Sequence, residues 1–250
     1  MKIREIYDFL DSIAPYNTQC EWDNSGFMCG DTEKDVDSVM LCLDCTNDVI
    51  EQAAANGCKL IVCHHPLIFS SVKRVYGETP LYNAIKNDIT VISAHTNLDM
   101  ADGGVNDVLS EKLGLSDCEK LFAEGAPFMR MGNVKEQSAE EFASFVAHKL
   151  GNGAEVYDSG RMVQNVAVCG GAGGEYIPEA WGAGCDTFVT GEAKHHERLE
   201  AQRLGINLIV AGHFSTEIPV INKLSKKITQ AFSDIDVYIA SEESPCKTVV

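Results

Sequence analysis

The sequence predicts an α/β protein built as two related halves around substantially parallel sheet, and two observations carry that expectation. Strand-like and helix-like segments alternate for most of the length, the pattern that lays helices over parallel strands. A stretch of the first half also recurs in the second. Taken in order, MKIREIYDFLDSIAP puts Ile3, Ile6, Phe9, Leu10 and Ile13 on one face of an amphipathic helix. Trp22-Asp-Asn-Ser-Gly26 has the form of a turn before a strand and suggests no chemistry by pattern alone. Residues 38–43 read as a strand, Thr46 caps a helix to about residue 56, Gly57 ends it, and 59–63 form the next strand. Thr79-Pro80 opens a short helix with proline at its first position, followed by a strand at 89–94 and a helix at 105–113. Ser138-Ala-Glu-Glu141 is a capping box for a helix to about residue 150. Strands at 165–169, 186–190 and 207–211 then alternate with helices.

The recurrence is gapless. Residues 39–65, moved by 127 positions, fall on 166–192 and match Val39, Cys42, Ala53, Gly57, Cys58 and Val62 with Val166, Cys169, Ala180, Gly184, Cys185 and Val189. Two βαβ units share such a rhythm by construction; the common element order across the whole window favours duplication. The expected division is a first α/β lobe at 1–125 and a second at 126–250.

Composition narrows the function. With 45% hydrophobic residues in 250, a sizeable core is expected, and no apolar run approaches a membrane span. The charged N-terminal helix is no signal peptide, so the expected location is the cytoplasm. Ten cysteines suit a reducing compartment, where Cys42, Cys63 and Cys169 act as small buried hydrophobes. The Cys42-Leu-Asp-Cys45 pattern lacks the second pair of a zinc ribbon and the helix start of a redox motif. A formal charge of −17 leaves no basic stripe for nucleic acid and disfavours anionic membranes. It leaves room for an anionic small substrate where bound cations invert the local field.

Three apolar strands end in residues able to hold metal: His64-His65, then His95 with Asp99, then His213 with Glu217. A fourth ends in Gly191-Glu192, the position that the repeat matches to His64-His65. Ligands of open α/β sheets sit beyond the carboxyl ends of strands. Imidazole and carboxylate donors suit zinc, iron or manganese and leave exchangeable positions, unlike closed thiolate sites. One strand-end histidine is commonly a polar cap; four together, two of them followed by a carboxylate at the same spacing, point to a metal site. His95 reads as a ligand or as a group that moves protons or orients others. His196 reads as a solvated helix face or as an acid–base group facing substrate. His148 reads as structural. The run Cys169-Gly-Gly-Ala-Gly-Gly174 reads as a plain turn or as a phosphate cradle of backbone N–H groups.

Together, Trp22-Asp-Asn-Ser-Gly26, Cys63-His-His-Pro-Leu67, Ser93-Ala-His-Thr-Asn-Leu-Asp99, Val168-Cys-Gly-Gly-Ala-Gly173, Thr190-Gly-Glu192 and Ala211-Gly-His-Phe-Ser-Thr-Glu217 resemble the Nif-three-like dinuclear metal-centre family. Its members are often labelled type 2 GTP cyclohydrolase I homologs. The resemblance runs from Met1 to about Glu217. It implies two interlocked α/β lobes with mixed, largely parallel sheets and a metal site at the strand C-terminal ends. It implies two divalent ions per subunit on His64, His65, Asp99, His213 and Glu217, with Asp99 and Glu217 bridging. It also implies a ring-shaped homohexamer. Some members carry an inserted domain that a chain of this length lacks, and where they show an aromatic residue before a histidine this chain has His195-His196, so His196 is the match.

Two functions remain in view. One is a hydrolase that activates water for a nucleotide or another small heterocyclic or phosphorylated molecule, with Glu192, His95 or His196 moving protons. The other is a non-catalytic metal-binding scaffold or regulatory protein. A hydrolase needs a proton-moving group that binds no metal, and Glu192 and His196 lean towards it.

Overall fold

The computed structural model describes residues 1–246, so the last four residues of the second expected lobe, 247–250, lie outside the described residues. The chain runs α1 (Ile3–Ile13), β1 (Gly26–Cys29), β2 (Ser38–Cys42), α2 (Asn47–Ala55), β3 (Leu60–Cys63), α3 (Pro80–Lys86), β4 (Thr90–Ser93) and α4 (Thr96–Met100). It continues through α5 (Val105–Lys112), β5 (Ser116–Ala123), β6 (Ala126–Gln137), α6 (Ala139–Leu150), β7 (Glu155–Tyr157), β8 (Val163–Cys169) and α7 (Ile177–Gly182). It closes with β9 (Thr187–Thr190), α8 (His195–Leu204), β10 (Asn207–Val210), α9 (His213–Glu217), α10 (Pro219–Ala231) and β11 (Asp236–Ile239). Two compact units result: Met1–Asp102 with Ile221–Glu243, and Gly103–Val220 with residues 244–246.

The first unit holds a five-stranded sheet in the order β1-β4-β3-β2-β11, in which only the β1–β4 pair is antiparallel. Every residue of β2, β3 and β4 is buried, as expected of parallel strands covered on both faces. Met40, Cys42, Ile61, Cys63 and Val91 pack against Val49, Ile50 and Ala53 of α2 and Ala84 of α3. Thr46 and Thr79 cap those two helices through their side-chain oxygens, as their positions before the apolar pattern predict.

The second unit holds a six-stranded sheet in the order β5-β6-β8-β9-β10-β7. Its centre, β8-β9-β10, is parallel, while β5, β6 and β7 join antiparallel. Side chains alternate across it. Val166, Val168, Val189 and Ile209 meet Leu109 of α5 and Phe142 and Val146 of α6. Ala167, Cys169, Phe188 and Leu208 meet Ile177 and Ala180 of α7 and Ala201 of α8. Each such fully buried large side chain contributes about 1.5–3 kcal/mol. The fold is thus mixed α/β with two mixed sheets, as expected. The antiparallel pair β5–β6 had no sequence expectation, because β5 is exposed almost throughout and shows no apolar alternation.

The gapless repeat holds at the level of single residues. Moved by 127 positions, β3 falls on β9, and α2 falls on 174–182, a short 3-10 turn plus α7. Gly57 and Gly184 both take positive φ, 74° and 87°, as left-handed helix stops. Cys58 and Cys185 then donate back to the carbonyls of Ala53 and Ala180.

Candidate metal centre

In the first unit, the backbone leaves β3 at Cys63 and places His64 and His65 one after the other, held by bonds to the carbonyls of Cys42 and Leu43 at the end of β2. The neighbouring strand β4 ends at Ser93, and His95 precedes α4, which carries Asp99. One ring nitrogen from each of His64, His65 and His95 lies within 4.8 Å of the others. His64 Nε2 stands 3.5 Å from Asp99 Oδ1.

Each ring is oriented by an oxygen at Nδ1. His64 Nδ1 is 2.8 Å from the carbonyl of Ala94, His65 Nδ1 is 2.8 Å from Asp44 Oδ1, and His95 Nδ1 is 2.8 Å from Asp23 Oδ1. A carbonyl only accepts, so His64 carries a proton on Nδ1, and in the neutral ring the lone pair of Nε2 faces Asp99. Two acceptors facing one another are mutually repulsive, and a cation shared by them removes that repulsion. Oxygen at the far nitrogen is also the usual support of metal-bound histidine.

Asp23 is fully buried. Burial works to raise its pKa, but hydrogen bonds from His95 and Thr96 overcome it and hold the carboxyl well below the usual carboxylate range. Its Oδ2 accepts from the Thr96 amide at 3.1 Å and from Ser25 Oγ at 3.0 Å, while Ser25 Oγ accepts from the His95 amide. Asp44 sits just past β2, where Glu242 clamps the amides of Leu43 and Asp44, each at 2.8 Å. Neither Asp23 nor Asp44 was found by sequence reasoning. Asp23 lies 72 residues from His95 with no spacing signal. Asp44 had one: it follows the strand parallel to the one that delivers His65.

In the second unit, β10 ends at Val210 and Gly212 takes φ 90°, which turns the chain into α9. A side chain on Gly212 would press on Asn152 Nδ2 at 2.6 Å. α9 then presents His213 and Glu217 one turn apart, with Nε2 and Oε2 3.1 Å from each other. His213 Nδ1 is 3.0 Å from Glu192 Oε1, so Glu192 stands to His213 as Asp44 does to His65. Glu217 is buried and Glu192 is 60% exposed at its side chain.

The apparent match of His95–Asp99 with His213–Glu217 is offset by one residue. Ala94 and Ala211 donate to equivalent carbonyls of Cys63 and Thr190, and the carbonyls of His95 and Gly212 each accept from the fourth residue onward. His95 therefore corresponds to Gly212, and His213 occupies the first helical position that Thr96 fills in the other unit.

The glycine run is a packing device. Gly170 N donates to Asn106 Oδ1, Gly171 N to Thr216 Oγ1 and Gly173 N to Thr190 Oγ1, so three of its amides are spent on side chains of the protein, in keeping with the plain-turn reading. A side chain on Gly171 would overlap Glu217 Oε1, and one on Gly191 would lie 2.6 Å from the Gly171 carbonyl. Glycine at both positions lets the loop close over Glu217 and His213.

Beside Glu192 lies a cavity of about 660 Å³ lined by Asn152, Glu155, Glu175, Lys194 and Arg198, among others. His196 is not in its lining; its side chain is 76% exposed on α8. His148 is exposed on α6. All ten cysteines are free, and burial pushes the thiols of Cys42 and Cys45 far up, the reverse of a reactive thiol.

Comparison with known proteins bears on family and fold. The family model described as Duf34/NIF3 (NGG1p interacting factor 3) matches residues 1–246. A Clostridium perfringens protein named GTP cyclohydrolase 1 type 2 homolog is 33% identical over 254 aligned positions, covering 97% of this chain and 97% of that one. A Staphylococcus aureus protein of solved structure, described as hypothetical, gives a TM-score of 0.91 at 28% identity over 100% of this chain and 99% of its own. Reduced HcgD from Methanocaldococcus jannaschii gives 0.84 at 30% identity over 96% and 97%.

Proposed function

Because the chain belongs to the Duf34/NIF3 family, we propose that it binds two divalent metal ions and hydrolyses a nucleotide-like or other small heterocyclic or phosphorylated substrate. As the family resemblance implies, His64, His65, Asp99, His213 and Glu217 would hold the ions. Zinc, iron and manganese all suit this donor set. One observation carries the reading: the three histidines assigned as ligands, His64, His65 and His213, each spend Nδ1 on an oxygen and turn Nε2 the other way. Structural histidines have no reason to share that arrangement, whereas ligands need it.

The chemistry that two such cations supply when bound is acidified water and a polarised site of attack. The chain's own residues do the rest. His95 gives or takes a proton at Nε2 while Asp23 keeps its Nδ1 hydrogen and fixes the ring plane. Glu192 holds His213 through one oxygen and lines the cavity, where it can relay a proton. His196 stays a third candidate for proton transfer, the weakest on geometry. The cavity beside Glu192 has room for a small substrate. In keeping with the family resemblance, the assembly proposed is a homohexamer in the cytoplasm, for which light scattering on the purified protein gives the mass.

The test is a metal-loaded protein screened against nucleotides, phosphoesters and cyclic amides, with His65→Ala, Asp99→Ala and His95→Ala alongside. Turnover that all three lose, with metal lost only from the first two, supports the hydrolase. Bound metal without turnover of any compound leaves a metal-binding scaffold in its place.

A further inference from the structure

Trp22 and Phe69 have no part in the proposed metal chemistry, and they are 61% and 53% exposed. Rings of that size left together in water mark a surface that something covers. Their centroids lie 5.9 Å apart with the ring planes inclined by 47°, and each is 6.2 Å from the His95 ring, which meets both edge-on. The three rings are tied to one another. Asn24 Nδ2 donates to the Ile68 carbonyl at 2.6 Å, joining the turn that carries Trp22 to the one that carries Phe69. Asp23, next to Trp22, holds His95. The pair is therefore preformed beside a histidine of the candidate centre, and a ligand loses little entropy in using it.

Charge narrows the ligand. Phe69 opens an exposed stretch, 69–78, with Lys73 and Arg74 in it and no acid before Glu78. Neither cation has an ion-pair partner among the described residues. Four extended residues reach at most about 14 Å, so Lys73 lies within that distance of Phe69, a span that a nucleoside phosphate can bridge. In a chain of net charge −17, two uncompensated cations beside an aromatic pair favour an anionic, flat ligand.

We propose that Trp22 stacks the base of a nucleotide and that Phe69, inclined to it, closes on the edge of the base, with Lys73 and Arg74 meeting its phosphates. The proposal rests on the hydrolase reading and deepens it by naming the substrate class. A stacking platform tolerates different bases, because each has a π face.

Trp181→Phe leaves Trp22 as the single tryptophan and touches no residue of the site. The metal-loaded variant is titrated with GTP, guanosine and inorganic triphosphate while tryptophan fluorescence is followed, and calorimetry on the wild type gives affinities. Guanosine and GTP should quench, and triphosphate should not. Trp22→Ala and Phe69→Ala should each weaken GTP binding at least about five-fold, and Trp22→Phe should restore most of it. Lys73→Ala with Arg74→Ala should weaken GTP but not guanosine. GTP binding that is absent, or unchanged in both aromatic variants, overturns the proposal. So does a change of assembly mass in Trp22→Ala without a change in nucleotide affinity, which makes the patch a contact between copies. Quenching without turnover keeps the stacking site and removes the hydrolase; turnover indifferent to both rings does the opposite.

Discussion

Asp23 shows how a side chain whose motif suggested no chemistry governs one with a strong signal. It is buried, ionised and bonded at once to the His95 ring, the Thr96 amide and Ser25. A carboxyl whose folded pKa is depressed adds stability above its unfolded pKa, about 3.9, and that stability is lost as pH falls through the folded value. Asp23→Asn should cost about 2 kcal/mol at pH 7 and should lose stability less steeply than wild type below about pH 4, as read by urea unfolding. Gly171 makes a complementary case. At φ 62°, with Glu217 against the position of a Cβ, Gly171→Ala should cost about 1–3 kcal/mol and weaken metal binding, measured by thermal melting and metal titration. The histidines were legible because each follows an apolar strand. Asp23 and Asp44 were not, since a loop carboxylate looks the same whether it meets solvent or an imidazole. Glu192 was legible as a strand-end residue; its bond to His213 needed the fold.

At the scale of elements, the site depends on chain that is distant in sequence. β11 lies parallel to β2, and Glu242 just beyond it grips the amides of Leu43 and Asp44, which in turn hold His65. Glu242→Ala should lower metal affinity about 10–100-fold without unfolding the sheet, a split that calorimetry and circular dichroism together resolve. Far from the site, Ser138→Ala removes the bond to the Glu141 amide that begins α6 and should cost about 1 kcal/mol with metal affinity unchanged. The capping boxes, the Thr-Pro helix start and the parallel strands were readable because local chemistry and burial agree there. β11 was not, being four residues long with exposed ends, and β5 carries Asp117, Glu119 and Lys120 on an exposed edge, where charge guards against pairing with another chain.

Across the whole molecule, two units repeat one plan: parallel strands that stop at the same level, a left-handed glycine after the helix, and polar residues past each strand end. The one-residue offset that replaces His95 by Gly212 breaks the symmetry at the strand ends, leaving a histidine proposed to move protons in one unit and a tight glycine turn in the other. A metal held only by the folded chain should raise its stability by about 2.7 kcal/mol per site at a hundredfold excess over Kd, lost on chelation. The most direct measurement is elemental analysis of the protein after loading with zinc or manganese and exhaustive dialysis, beside Asp99→Ala and Glu217→Ala. Two ions per chain are expected in the wild type and fewer than one in each carboxylate variant. Retention of no metal by the wild type, or of two ions by both variants, contradicts a dinuclear centre on these residues.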